Sequence, residues 1–265
     1  MTTKTTGRAR AAGAALLLGV LLAGCGLPAA GQPPAPAAPP APAVQTGTAA
    51  PPPVTVRPTA AAVSYPADGG NRWYGAAGET PAPGGTGRLR RYRVAVERDI
   101  RGIPVAEFAG EVTRTLNDPR GWTAGGALRL RRVGWGQPAD FTIYLVTPGT
   151  RDELCGDVPD GYTSCRNGGR VVLNVARWVK GVPRYGASLA SYRQYMVNHE
   201  VGHRLGMGHE RCPGRGRPAP VMQQQTLGLH GCTANAWPYL DGKRYTGPSG
   251  AYDDAIPLRE RGRTG

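Results

Sequence analysis

The sequence predicts an α+β domain in the last two thirds of the chain. Three observations carry this: period-two alternation in several short runs, helical spacing of apolar residues between and after them, and a break in composition near residue 60. Regular structure begins at LRRYRVAV (89–96), where Tyr92, Val94 and Val96 alternate with Arg91, Arg93 and Ala95, as in a strand with one face buried. A helix follows. Pro104 suits its first turn, Val105, Phe108, Ala109, Val112 and Leu116 keep helical spacing, and Asn117-Asp118-Pro119 stops it. Strands are expected at 127–133 and 140–147, the second apolar enough on both faces to be internal, and at RVVLNVARW (170–178). A last helix starts at Ser188 or Ser191; Ser191-Tyr192-Arg193-Gln194 has the spacing of a capping box. Val197, Val201 and Leu205 give that helix an apolar stripe, and Gly206 is placed to end it.

Before this domain the chain has little with which to build a core, since its first aromatic residue is Tyr65. Residues 1–24 read as an export signal: Lys4, Arg8 and Arg10 precede the apolar run AALLLGVLLAG, which is too short for a membrane span. The signal ends in Leu22-Ala23-Gly24-Cys25, which resembles a bacterial lipobox. Cleavage before Cys25 and acylation of its thiol would tether the protein to the outer face of the cell membrane; an ordinary signal peptide and a secreted product is the alternative. Residues 27–60 hold eleven prolines and ten alanines and no aromatic residue, so 25–60 is a lipidated cysteine followed by an extended spacer. Residues 61–87 are expected to wrap irregularly on the domain, 88–247 to form it, and 248–265 to be a polar tail.

Net charge is +14, and all but Lys4, Lys180 and Lys243 of the 32 basic residues are arginine. Cleavage of the signal leaves the balance positive, which favours anionic lipid or an anionic wall polymer as neighbours. The arginines of 88–132 alternate with apolar residues, a solvated strand face, and export makes nucleic acid a poor partner.

Four cysteines remain besides Cys25: Cys155, Cys165, Cys212 and Cys232. An even number in an exported chain predicts two disulfides, with three possible connectivities, and the wide spacings argue against a cysteine zinc site. Pairing 155 with 165 and 212 with 232 closes the shortest loops.

Residues 199–209 read HEVGHRLGMGH, which fits HExxHxxGxxH at every fixed position. His199 and His203 lie four apart on one helical stripe, about 6 Å along the axis, so two imidazoles converge on one ion. Gly206 turns the chain back to bring His209 as a third ligand. Three neutral imidazoles suit one Zn2+ ion and leave a fourth position for water, as a catalytic site requires. Glu200 is placed as the general base, and the chemistry is hydrolysis of a peptide bond in a peptide or protein substrate.

This motif resembles that of the metzincin metallopeptidases. The resemblance implies a zincin-like fold, with a twisted mixed sheet packed on helices, an active-site helix, and a turn carrying a methionine beneath the metal. Met222, in PAPVMQQQT, is the candidate for that Met-turn. Glu210 after the third histidine is similar to the astacin pattern, but Gln224 stands where astacins place a tyrosine, so no tyrosine ligand is expected there. No folded propeptide is visible. From about residue 86 to 240 the chain also looks like an uncharacterised family of actinobacterial secreted proteins and lipoproteins, through RYRVAVE, DPRGWT, VVLNVARW, YRQYMVNHEVGHRLGMGH, APVMQQQT and NAWP.

The expectation is a monomeric, membrane-tethered zinc endopeptidase. The alternative is a zinc-stabilised lipoprotein that binds at the cell wall without turnover. Around the motif, His230 is weighed as a second metal ligand, Asn198 as a group orienting a ligand, Trp178 and Trp237 as core or cleft wall, and Tyr239 as an oxyanion donor.

Overall fold

The computed structural model describes residues 62–79 and 84–265. The expected export signal, Cys25 and the expected spacer fall outside the described residues. No helix among the described residues is long and apolar enough to cross a membrane.

The expected strand at 89–96 is β2 (Arg88–Glu97), preceded by a short β1 (Trp73–Gly75). After α1 (Val105–Leu116) come β3 (Leu128–Arg132), β4 (Phe141–Val146), α2 (Pro148–Cys155), β5 (Cys165–Asn167) and β6 (Arg170–Asn174). The chain continues through α3 (Val175–Lys180) and α4 (Leu189–Arg204) and closes with a two-stranded ribbon of β7 (Tyr239–Leu240) and β8 (Lys243–Arg244). The main sheet runs β1-β2-β4-β6-β5, with β3 also paired to β2. Strands β3, β2, β4 and β6 are parallel, while β1 and β5 are antiparallel to their neighbours, so the sheet is mixed. β4 is internal, as its composition predicts.

Alternation along β4 explains the two layers. Phe141, Ile143 and Leu145 join the main core under α1 and α4, with Phe108, Val112, Met196, Val197 and Val201. Val146 faces the other way and meets Val172 and Cys155 in a smaller cluster under α2. Each fully buried aliphatic side chain here contributes about 1.5–3 kcal/mol of transfer free energy, enough to fix which face looks inward.

The structure corrects two sequence expectations and decides between the two starts expected for α4. RVVLNVARW is not one strand: the strand stops at Asn174, whose side-chain oxygen accepts from Ala176 N–H (2.9 Å) and caps α3. α2 has no counterpart in the sequence reading, although Thr147 caps it by accepting from Thr150 N–H and Pro148 opens it. Ser188, not Ser191, caps α4, accepting from Ser191 N–H at 3.1 Å. Within the expected irregular wrap, β1 adds an edge strand, and Tyr65 is buried.

Two disulfides form, Cys155–Cys165 with Cα atoms 6.0 Å apart and Cys212–Cys232 with 5.8 Å. Such bridges persist in an oxidising, extracytoplasmic setting. The first ties the end of α2 to β5; the second closes the loop that contains Met222.

Candidate metal centre

The centre is built on the C-terminal half of α4. Its apolar residues seat the helix on the sheet, and this turns His199 and His203, one turn apart, toward a cleft of about 430 Å³. The helix ends in a Schellman motif: Gly206 N–H donates to His203 O (3.1 Å) and Met207 N–H to Gly202 O (2.9 Å). Gly206 takes φ +96°, a conformation open to glycine, and the chain doubles back. That reversal carries His209 to the other two histidines.

Nε2 of His203 lies 3.2 Å from Nε2 of His199 and 3.1 Å from Nε2 of His209. Nδ1 of His199 faces Val221 O at 2.8 Å and Nδ1 of His203 faces Met207 O at 2.9 Å. Each of those Nδ1 positions is therefore a donor to a carbonyl, leaving the Nε2 lone pairs pointed at a common centre. Three lone pairs at this separation repel unless a cation lies among them. Nitrogens bound tetrahedrally at about 2.0–2.1 Å would stand roughly 3.3 Å apart, close to the spacing found. The three residues are thus a group able to hold a metal ion.

Burial lowers the proton affinity of all three imidazoles. His199 falls well below the ordinary histidine range, through burial first and its neighbour His203 second; His209 falls to about 4 for the same two reasons. His203 is lowered by burial as well. At neutral pH the triad is uncharged, the state in which imidazole is a ligand.

Glu200 lines the same cleft and is 6% exposed. Burial pushes its carboxyl up to about 8, against the opposing pull of Arg151 and Arg166. Arg151 is itself buried and paired with Asp152, Asp157 and Asp160, which fixes the loop forming the upper lip of the cleft. β5 ends the sheet at the cleft, with Cys165 and Arg166 among the lining residues.

Met222 is fully buried beneath α4. It stands in a turn closed by Gln223 N–H donating to Pro220 O (2.9 Å), and the turn touches the triad twice. Val221 O orients His199, and Met222 O accepts from Glu210 N–H (3.1 Å), next to His209.

Residues 59–240 match the family model described as a protein of unknown function, DUF3152. The chain belongs to the DUF3152 family. No curated protein and no solved structure matches it. The DUF3152 region contains the three histidines, Glu200, Met222 and all four bridged cysteines.

The other residues weighed from the sequence find different places in this DUF3152 domain. His230 does not join the triad; its Nε2 meets Asp254 at 2.9 Å. Asn198 is fully buried and donates through Nδ2 to Ala236 O (2.9 Å), bracing α4 against the segment after Met222. Trp178 packs edge-on to Phe108 in the core, and Trp237 lies under the Arg120 guanidinium. Tyr239 lines a separate pocket with Trp122 and Arg244, not the Glu200 cleft.

One residue of the cleft and one that braces α4 carry no reading in the sequence. Tyr195 precedes His199 by one helical turn, its ring centroid 5.3 Å from the imidazole, and its hydroxyl donates to Gln223 O. Its place on the His199–His203 stripe was the available signal. Trp122, from DPRGWT, donates through Nε1 to Asn198 O at 2.9 Å, and nothing local in the sequence points to that contact.

Proposed function

We propose that this protein is an extracytoplasmic zinc-dependent endopeptidase of metzincin type, tethered to the outer face of the membrane through Cys25. The observation that carries the reading is the meeting, in one cleft, of three imidazoles, with Nε2 of His203 3.2 Å and 3.1 Å from those of His199 and His209, and of the buried Glu200 carboxyl. The HExxHxxGxxH motif and the buried Met222 under the active-site helix support the metzincin assignment, and the two disulfides support export.

His199, His203 and His209 would hold the ion through Nε2. When bound, zinc supplies a Lewis acid that acidifies water and polarises a carbonyl. Glu200 takes the proton of the attacking water, whose oxygen joins the carbonyl carbon, and delivers it to the amine nitrogen as the C–N bond breaks. A carboxyl whose proton affinity is raised by burial can both take and return that proton near neutral pH. The free edge of β5 above the cleft suits an extended peptide, which would add to the sheet by main-chain hydrogen bonds.

The test is metal analysis of the purified protein together with cleavage of a broad peptide library. About one zinc per chain is expected, with chelator-sensitive cleavage. Glu200→Ala should keep the metal and lower kcat/KM by about 10²–10⁴. Zinc-loaded protein that cleaves nothing yet binds cell-wall material would instead establish a binding lipoprotein, and unchanged activity in the variant would remove Glu200 as the base.

A further inference from the structure

The last eighteen residues do not leave the domain at the ribbon β7–β8. They return along the side of the metal centre. Gly250 N–H donates to His209 O (2.9 Å), and Arg211 N–H donates to Pro248 O (2.7 Å). Next, the Tyr252 ring stacks on His230 with centroids 3.5 Å apart, and its hydroxyl accepts from Cys212 N–H (3.1 Å). Asp254 meets His230 Nε2 at 2.9 Å. This first anchor lies beside the lower lip of the cleft, since Gln224, Thr226 and Leu227 line it just before His230.

A second anchor holds the chain to the opposite lip. Arg259 pairs with Asp152 and with Asp68, each at 2.7 Å, and Glu260 N–H donates to Gly161 O (3.3 Å). The Glu260 carboxylate pairs with Lys180 at 2.7 Å and with the buried Arg177. Beyond it, Arg263 and Tyr65 exchange two backbone hydrogen bonds. Asp157 and Asp160 of this lip line the cleft.

Between the anchors, Ala255–Leu258 are exposed and make no hydrogen bond to the described residues. Ile256, 47% exposed, lines the metal cleft itself. Five residue steps separate Asp254 from Arg259, so this segment spans at most about 18 Å even when fully extended. A chain so short, fixed to both lips and touching the cleft midway, crosses its mouth.

We propose that residues 252–260 strap the metal cleft, admitting water and small ligands while excluding extended peptides until one anchor is released. The proposal rests on the reading of the cleft as a peptide groove. The strap gives the protein a source of latency in the chain after the domain. Its contacts differ in strength: Glu260 covers a buried guanidinium, whereas Asp254 in the first anchor and Arg259 in the second hold more exposed contacts, so release begins with those two.

The test compares the zinc-loaded full chain with an Asp254→Ala/Arg259→Ala variant, which leaves the Arg177–Glu260 pair intact. Two probes are titrated, acetohydroxamate and an uncharged hexapeptide hydroxamate. If the strap is closed nine-tenths of the time, the variant binds the peptide probe about tenfold more tightly, with acetohydroxamate unchanged. An Ile256→Trp chain, with a larger side chain at the mouth, should shift the peptide probe the other way. Equal affinities for the peptide probe in wild type and double variant, or an equal change for both probes, would overturn the proposal. Binding is the readout, so a protein that takes the probes and cleaves no peptide fails as a peptidase without touching the strap. If no zinc loads, hydrogen exchange decides: amides of 157–163 and 226–230 should exchange faster in the double variant, and identical exchange would overturn the strap.

Discussion

Gly202 lies against Met222 with no room for a side chain between them. A Cβ on Gly202 would stand 2.6 Å from the Trp122 ring and closer still to the Met222 sulfur. The residue between the two helical histidines is therefore small because the Met222 turn comes up against the helix backbone there. This contact sets the height of α4 above Val221, whose carbonyl orients His199.

Gly202→Ala should lift the helix from that floor. Overpacking of this kind costs about 1–3 kcal/mol, read as a lower melting temperature. Metal affinity should fall with it, because His199 and His203 move relative to His209. A variant that melts lower but binds metal as tightly would show that the floor supports the fold alone.

The metal-free protein should lose stability in acid. The three imidazoles have folded proton affinities below the unfolded value near 6.5, with His209 at about 4. The unfolded chain therefore binds protons first as pH falls. The histidine contribution is full above about pH 6.5 and is lost as pH drops toward 4, where His209 also protonates in the folded state; Glu200, raised to about 8, works the other way but is one group against three, so the net loss falls below pH 6.5. Chemical denaturation of the chelated protein between pH 6.5 and 4 checks the sign; a midpoint that rises over that window would contradict it.

The two disulfides should differ in what their loss does. Cys212→Ala/Cys232→Ala frees the loop that carries Met222, Val221 O and the Glu210 contact, so both stability and metal affinity should drop. Removal of a bridge of this loop length costs roughly 2–4 kcal/mol. Cys155→Ala/Cys165→Ala should cost stability while leaving metal affinity closer to wild type, because it ties α2 to β5 and none of the histidines. Melting curves and a competitive metal titration on the two pairs separate these effects.

Arg151→Met should unfasten the upper lip. Its guanidinium is 2% exposed and serves Asp152 and Asp160, each 8% exposed. Removing one partner from a buried ionic cluster costs about 3–5 kcal/mol, because Asp160 is left without a counter-charge while Asp152 keeps only Arg259. Faster proteolysis within 157–163 than elsewhere would locate the damage; cleavage spread evenly would argue for a global loss.

What the sequence determined by itself was what local spacing encodes. His199, Glu200 and His203 sit at helical intervals, Gly206 permits the reversal, and His209 follows at the distance a Schellman turn needs, so the triad was legible from eleven residues. Strands β2, β3 and β4 and helix α1 were legible too, because alternation and helical spacing need only neighbours in the chain. Strand β6 was half read: VVLN and VARW are equally apolar, and only the cap made by Asn174 divides them. Only the tertiary structure decided the contacts made by residues far apart in sequence. Trp122 meets Asn198 and Gly202, Asp254 meets His230, and Glu260 meets Arg177 across long stretches of chain. No local pattern specifies such pairs, because they follow from where the sheet and the disulfide-closed loops leave space. The three histidines are a property of one helix and its turn; the floor beneath them and the return of the chain end beside them are properties of the fold.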